Sequence, residues 1–173
     1  MTDVNLQSEK REDSEIGGGH EEVPTARRSI EEIQTFTLGY QGRTLSEVLR
    51  IVQVHAIHQV LDVRQVAASR KPGFAASELK EALARIGVTY VHLPELGCER
   101  EARHALWRGG ATDDFMGGYR QQIAGRPDAV GDLVLRVRSA RSLLLCLERN
   151  PAECHRAVLG ERLREEGIAV LDL

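Results

Sequence analysis

The chain has 173 residues, of which 42% are hydrophobic and 28% are charged. This length suffices for one domain with a hydrophobic core but not for two ordinary domains. No apolar run approaches the roughly 18 residues that a bilayer crossing needs, and the polar first residues lack the apolar core of a secretory signal. We therefore expect a cytoplasmic protein without a membrane partner, whose three cysteines are reduced thiols.

Acidic charge is concentrated near the N-terminus. Residues 1–33 hold nine acidic and four basic side chains, a net charge of −5, whereas residues 34–173 hold 17 acidic and 19 basic ones, a net charge of +2. A duplex-binding domain is normally far more basic, so bulk binding to nucleic acid is disfavoured. The Glu-, Ser- and Gly-rich composition of residues 1–32 predicts a disordered acidic tail, followed by a single α/β domain over 33–173.

Segments with strand and helix periodicity alternate from residue 33 onward. Strands are predicted at 33–38, 57–63, 88–93, 142–147 and 168–173. Helices are predicted after the caps Thr44 (with Glu47 completing a capping box) and Ser77, and from Pro127 and Pro151. One or two short helices are expected between residues 98 and 126. This alternation predicts a three-layer, Rossmann-like α/β fold, with a mostly parallel sheet of about five strands and helices on both faces.

Chemically useful residues follow the predicted strands. Ligands of parallel sheets bind beyond the carboxyl ends of the strands, so we expect the functional site at that edge. The candidate catalytic residues are Asp62, Cys146, Glu148, Cys154 and His155. The candidate ligand-binding residues are Gly39, Tyr40, Arg64, Ser69, Arg70, Lys71, Phe74, His92 and Arg156.

Basic residues at this edge favour an anion site. Asp62 and Arg64 are two positions apart and point the same way in an extended segment, which predicts an ion pair that orients both groups. Asp62 has the alternative role of capping a turn. Arg64, Arg70, Lys71 and Arg156 would bind phosphate or carboxylate, and the alternative is a set of solvated surface bases.

The two cysteines at this edge have open roles. Cys146 follows three leucines, so it is either an inert core thiol or a nucleophile at a strand-to-helix turn. The Cys-x₅-Arg spacing of phosphotyrosine phosphatases does not fit, because Ala152 stands six residues after Cys146. Cys154, at the expected start of the last helix, is the better candidate for a thiol with a lowered pKa.

Zinc is the metal for which Cys146, Cys154, His155 and His92 would be suitable ligands. The spacing Cys-x₇-Cys-His matches no common structural zinc pattern, and adjacent residues such as Cys154 and His155 point in different directions on a helix. We therefore predict no metal and no other cofactor.

Other aromatic and histidine residues are less informative. Tyr40, Trp107 and Tyr119 either line the site or pack in the core, and spacing does not decide between these. His20, His55, His58 and His104 show no partner pattern and are assigned to the surface or to packing.

Four segments resemble the bacterial and archaeal family called Domain of Unknown Function 488: TLGYQGRTLSEVL, LDVRQVAASRKPGF, YVHLPELG and CLERNPAECHR. The resemblance runs from about Thr35 to Leu173, and its most specific part is C-x-E-x-x-P-x-x-C-H-R. It implies an α/β fold and supplies no established reaction. The positions that match the family pattern are Gly39, Asp62, Arg64, Ser69, Phe74, His92, Leu96, Gly97, Cys146, Glu148, Pro151, Cys154, His155 and Arg156.

This chain departs from the family pattern after Arg64. Family members usually have proline where this chain has Ala67, and often Ser-Lys where it has Ala75 and Ala76. The loop is therefore expected to be less rigid, or to contribute less to the site.

Three classes of function remain open from the sequence. The first is an enzyme acting on a phosphorylated or nucleotide-like substrate, with Asp62 or Glu148 as the acid–base group and His155 as a second candidate. The second is a non-catalytic module that binds a small anionic or nucleotide-like ligand. The third is rhodanese-like sulfur or redox chemistry at Cys154 or Cys146. A homo-oligomer is compatible with each of them.

Overall fold

Five parallel strands form the centre of the molecule. The structure, a computed structural model, describes Met1 and residues 34–173. The strands are β1 (Gln34–Gly39), β2 (Gln59–Asp62), β3 (Thr89–His92), β4 (Ser142–Cys146) and β5 (Ala169–Asp172). They pair in the order β3-β2-β4-β1-β5, and every pairing is parallel. The predicted parallel sheet is confirmed, while the predicted tail over 1–32 lies outside the described residues apart from Met1.

Helices cover both faces of the sheet, as predicted. They are α1 (Leu45–Val54), α2 (Ala76–Ala84), α3 (Arg100–Trp107), α4 (Thr112–Ala124), α5 (Pro127–Ser139) and α6 (Arg156–Glu165). Side chains of α1 and α2 form one core with the sheet, and side chains of α4, α5 and α6 form a second core on the opposite face. None of these helices has the length and apolar composition that a bilayer crossing requires.

The central strand β4 contributes to both cores because it is flanked by β1 and β2 and covered on each face. Leu143 and Leu145 pack on the side of α1 and α2, whereas Leu144 and Cys146 pack on the side of α4, α5 and α6. This alternation is the ordinary period of a strand. It points the Cys146 side chain toward α6 and the segment that leads into it.

Two helix starts show how local hydrogen bonds set the boundaries. The capping box of α1 is confirmed: Glu47 N donates to Thr44 Oγ1 at 3.2 Å and Thr44 N donates to Glu47 Oε2 at 2.6 Å. The predicted cap Ser77 is wrong, because Ser77 lies inside α2 and Ala75 precedes the helix without a side-chain cap. The bond from Ala76 N to Ala67 O, at 2.9 Å, fixes the chain at this earlier point.

The predicted start of the last helix at Pro151 is also wrong. Pro151–Glu153 form a single 3₁₀ turn, capped by Asn150, whose side-chain oxygen accepts from Ala152 N at 3.1 Å. Cys154 is then extended, with φ −127° and ψ 138°, and this interrupts the helical path. His155 is the cap of α6. Cys154 and His155 therefore precede the helix instead of occupying its first turn.

Candidate functional site

A buried ion pair lies at the end of β2. Asp62 and Arg64 are 0% and 3% exposed, and Arg64 Nε donates to Asp62 Oδ1 at 2.8 Å. The second carboxylate oxygen accepts from Arg64 Nη2 and from the Tyr90 hydroxyl, the latter at 2.6 Å. Burial disfavours the guanidinium charge, but the hydrogen bonds and charge of Asp62 outweigh this effect and raise the pKa of Arg64. The predicted pairing is confirmed, and it occupies both oxygens of Asp62.

Arg64 also orients an aromatic pair. Its Nη1 donates to the Tyr40 hydroxyl at 2.9 Å and to the Phe74 carbonyl at 3.0 Å. The Tyr40 and Phe74 rings stack, with centroids 4.3 Å apart. Lys71 Nζ donates to the Tyr40 carbonyl at 3.2 Å. Phe74 and Lys71, both predicted to bind ligand, thus contact Tyr40 and help to hold it in place.

A pocket of about 500 Å³ opens at the carboxyl edge of the sheet, and we call it the arginine pocket. Its walls are the loops after β1, β2 and β4, closed on one side by α3. The lining residues are Tyr40, Arg64, Val66, Ala68, Ser69, Arg70, Arg100, Arg103, His104, Trp107 and Leu147. Four predicted ligand-binding residues, Tyr40, Arg64, Ser69 and Arg70, are among them.

Helix α3 supplies a part of the pocket that the sequence indicated only through Trp107, one of the residues left open between the site and the core; His104, assigned to the surface or to packing, also lines it. Arg100, Arg103, His104 and Trp107 have the spacing i, i+3, i+4, i+7, which places them on one helix face. The His104 and Trp107 rings lie 5.6 Å apart, and Arg103 Cζ lies 5.4 Å from the Trp107 ring centroid. This spacing was readable in the sequence, but it was overlooked because the periodic residues are basic and aromatic instead of apolar.

The arginine pocket is electropositive. Arg70, Arg100 and Arg103 form no ion pair with any carboxylate in the described part of the chain. Arg103 Nε is buried and has no hydrogen-bond partner there. None of the described acidic residues lines the pocket. The three guanidinium groups therefore face the cavity without an internal counter-charge.

Three other predicted ligand-binding residues lie outside this pocket. His92 Nε2 is 2.8 Å from the Arg64 carbonyl oxygen, so it holds the loop after β2. Glycine is required at position 39 by packing, because a Cβ on Gly39 would lie 1.8 Å from the Glu148 carbonyl oxygen. Arg156 is 1% exposed and lies with a second group of residues.

This second group consists of Cys146, Glu148, Cys154 and His155, and we call it the cysteine–histidine cluster. Glu148 Oε2 lies 3.1 Å from Cys146 Sγ and 3.3 Å from Cys154 Sγ. His155 Nδ1 lies 3.9 Å from each sulfur. One nitrogen, oxygen or sulfur atom from each residue falls within 4.8 Å of all the others. The expectation that Cys154 and His155 point apart is wrong, because neither lies in a helix.

Burial and mutual contact shift the protonation of the cluster. Burial, together with the hydrogen bond and charge of Cys154, raises the pKa of Cys146. Burial would also raise the pKa of Cys154, but the hydrogen bond from Cys146 and the charges of His155 and Arg156 lower it well below its ordinary value. The lowered pKa predicted for Cys154 thus arises from neighbouring side chains.

The two other members of the cluster are also shifted. Burial and the charge of Cys154 raise the pKa of Glu148. Burial would lower the pKa of His155, yet the charge and hydrogen bond of Cys154 raise it to about 10.

The cluster is largely closed to solvent. Cys146, Cys154 and His155 are at most 1% exposed, and only Glu148 is half-buried. Arg156 Nε donates to Cys154 Sγ at 3.2 Å, and its Nη2 donates to the Glu148 carbonyl at 2.6 Å. The predicted single site is thus divided into an open arginine pocket and a closed cluster.

Comparison with models of known protein families assigns the chain to a family. The family model described as "Domain of unknown function DUF488" matches residues 44–163. The chain belongs to the DUF488 family. No curated protein and no solved structure matches it. The match extends from the cap of α1 into α6, so the four α3 residues of the arginine pocket and the whole cysteine–histidine cluster lie within the DUF488 region.

Proposed function

We propose that this DUF488 protein binds a small phosphorylated, nucleotide-like ligand in the arginine pocket. One observation carries the proposal. Three guanidinium groups without carboxylate partners in the described chain, those of Arg70, Arg100 and Arg103, line the same cavity as the half-exposed indole of Trp107.

The guanidinium groups suit a phosphate. Arginine presents a planar fork of donors that matches phosphate oxygens, and such charged hydrogen bonds are about twice as strong as neutral ones. Arg103 lines the pocket, and its buried Nε–H has no partner in the described chain. Ser69 and Tyr40 add hydroxyl groups to the lining of the same pocket.

The aromatic residues suit a planar base. Trp107 is 56% exposed, and bases stack readily on indole rings and guanidinium planes. The volume of about 500 Å³ falls within the range of about 300–1,000 Å³ common for small-molecule sites. A mononucleotide combines both features, a flat ring and a doubly charged phosphate.

Binding, and not a particular reaction, is what the geometry supports. Both oxygens of Asp62 are occupied by Arg64 and Tyr90. Glu148 and His155, the other acid–base candidates, belong to the cysteine–histidine cluster and do not line the pocket. The proposal therefore favours the binding module among the three classes of function, and turnover of the bound ligand is an outcome to be tested.

The test is isothermal titration calorimetry of the full-length protein with AMP, adenosine and inorganic phosphate. We expect AMP to bind more tightly than either fragment, with an affinity that falls as salt is added. Arg103→Gln should weaken AMP binding about tenfold or more, because one charged hydrogen bond contributes roughly 1.5–3 kcal/mol. Arg50→Gln, on the exposed side of α1, is the matched control and should bind AMP like the wild type.

Two results would overturn the proposal. One is the absence of saturable binding of AMP and of phosphate by well-folded protein. The other is an equal loss of affinity in Arg103→Gln and Arg50→Gln, which would reveal attraction by overall charge. Conversion of bound AMP to a new species during long incubation would add an enzymatic activity to the binding.

A further inference from the structure

We propose that the cysteine–histidine cluster is a zinc site, in which Cys146, Glu148, Cys154 and His155 bind one Zn²⁺ as a closed, four-coordinate structural centre. This inference is independent of the ligand proposed for the arginine pocket. It rests on the spacing of the four donor atoms, the orientation of the histidine ring and the charges around the cluster.

Four donor-atom separations in the cluster are close to those of a zinc tetrahedron. Zinc bonds of about 2.3 Å to sulfur and about 2.0–2.1 Å to nitrogen place neighbouring ligand atoms roughly 3.6 Å apart. The measured separations are 3.1 and 3.3 Å from Glu148 Oε2 to the two sulfurs, and 3.9 Å from His155 Nδ1 to each sulfur. These four separations are within about 0.5 Å of the tetrahedral spacing, and all four donor atoms lie within 4.8 Å of one another.

The His155 ring is oriented for a metal. Its Nε2 lies 2.9 Å from the Val63 carbonyl oxygen, an acceptor, so this nitrogen must carry a proton. In the neutral ring the lone pair is then on Nδ1, the atom that faces both sulfurs. Histidine ligands are typically fixed in this way by a carbonyl or carboxylate behind the ring.

Glu148 contributes a carboxylate that is incompletely satisfied. Its Oε2 is shared by the two thiols, while its Oε1 is buried without a hydrogen-bond partner in the described chain. Leaving a buried carboxylate oxygen unpaired is costly. A cation in the centre of the cluster would stabilise the carboxylate and take the place of the thiol contacts that Oε2 now makes.

Arg156 balances the charge of such a centre. Two thiolates, one carboxylate, a neutral imidazole and Zn²⁺ have a net charge of −1. The Arg156 guanidinium is 1% exposed and forms no ion pair with a carboxylate among the described residues. Its Nε donates to Cys154 Sγ at 3.2 Å, which places its positive charge directly beside the cluster.

The donor set selects zinc among common ions. Two thiolates and an imidazole are soft and borderline ligands, which disfavours magnesium and calcium, whereas zinc accepts sulfur, nitrogen and carboxylate oxygen together. Four protein ligands leave no open position for a substrate, so the centre is structural. It would connect the end of β4, through Cys146 and Glu148, to the segment that enters α6.

The spacing in the sequence concealed this site. Common zinc sites use pairs of ligands two to four residues apart, whereas seven residues separate Cys146 from Cys154. The 3₁₀ turn at Pro151–Glu153 folds this segment back, and the extended Cys154 allows adjacent residues to reach one point.

The test is metal analysis of untagged, full-length protein, produced in zinc-supplemented medium and purified with a thiol-free reductant. We expect about one zinc per chain by elemental mass spectrometry. Replacement by Co²⁺ should give intense visible bands of tetrahedral cobalt and thiolate-to-cobalt charge-transfer bands. Cys146→Ser and Cys154→Ser should each lose both signals.

One control and one milder ligand variant complete the test. Cys98→Ser removes the third buried cysteine, which is outside the proposed ligand set, and should retain the zinc and the cobalt spectrum. Because the Cys146 and Cys154 variants could fail to fold, Glu148→Gln, altered at the half-buried ligand, should keep its circular dichroism but bind zinc at least tenfold more weakly.

Three results would overturn the proposal. They are folded wild-type protein that takes up neither zinc nor cobalt, zinc that is lost with Cys98→Ser, and a cobalt spectrum without charge transfer from sulfur. A Cys146–Cys154 disulfide found by mass spectrometry in metal-free protein as isolated would point to redox chemistry instead.

Discussion

The carbonyl oxygen of Glu148 occupies the place where a side chain at Gly39 would begin. A Cβ on Gly39 would lie 1.8 Å from this oxygen and 2.7 Å from the Cα of Arg149. Backbone hydrogen bonds from Tyr40 to Cys146 and from Gln41 to Leu147 hold the two segments at this distance. The close approach thus fixes the loop that carries Glu148 into the cysteine–histidine cluster.

Gly39→Ala should destabilise the protein by about 1–3 kcal/mol or more, because the clash is with backbone atoms that cannot rotate away. Urea unfolding followed by circular dichroism measures this loss. Gly131→Ala is the matched control, since a Cβ there meets no atom within 4 Å, and in a helix it should stabilise by about 0.5–1 kcal/mol. Equal stability of Gly39→Ala and the wild type would refute the packing argument.

Asp62→Asn should cost about 3–5 kcal/mol, because it leaves the buried Arg64 guanidinium without its counter-charge. The same substitution at Asp132, whose ion pair with Arg136 is partly exposed, should cost less than about 1 kcal/mol. Thermal and urea unfolding of both variants provide the comparison. A similar small loss at the two positions would show that the ion pair after β2 contributes little.

Trp107 is the single tryptophan of the chain, so its fluorescence reports on the arginine pocket alone. If a base stacks there, AMP should change the emission in a saturable way. Trp107→Leu should weaken AMP binding about 5- to 150-fold by calorimetry, since one stacked base contributes roughly 1–3 kcal/mol. Binding of inorganic phosphate should change little in this variant, and a matching loss for phosphate would argue against stacking.

Glu47 should make the stability of the protein pH-dependent in the acid range. The backbone and side-chain hydrogen bonds from Thr44 lower the pKa of Glu47 below its ordinary value of 4.5. Its contribution is therefore complete above pH 4.5 and is lost as the pH falls through the lower, folded-state value. Glu47→Gln keeps a capping side chain but cannot titrate.

This expectation is tested by measuring the unfolding free energies of the wild type and of Glu47→Gln from about pH 3 to about pH 7, in steps of about half a pH unit. The wild type should lose stability relative to the variant as the pH falls through the acid range. A constant difference between the two proteins over the whole range would contradict it.

Much of the architecture was predictable because strong local patterns and global packing agree. The run of leucines in β4 is favourable in a buried strand, and the Thr44–Glu47 capping box is favourable at the start of a helix. The helix starts predicted at Ser77 and Pro151 are wrong because individual hydrogen bonds set these boundaries. They are the bonds from Ala76 N to Ala67 O and from Ala152 N to the Asn150 side chain. Such contacts depend on side-chain and loop geometry that periodicity does not contain.

The sequence predicted individual residues of the site but not how the structure groups them. Parallel strands placed Arg64, Glu148 and the two cysteines at one edge, as expected. Their division into a pocket and a cluster depends on two things: where α3 folds, and the extended conformation of Cys154. Both are outcomes of tertiary packing.

The position of β4 has a consequence for synthesis on the ribosome. In the finished sheet β1 and β2 do not pair with each other, because β4 lies between them and pairs with both. The ribosome synthesises β1 and β2 well before residues 142–146. Until β4 emerges, each of these strands has an unpaired edge that can pair with a wrong strand. Emergence of the last fifth of the chain, which begins with β4, therefore sets the time at which the two halves can join. A chaperone that shields those edges would matter most just before that moment.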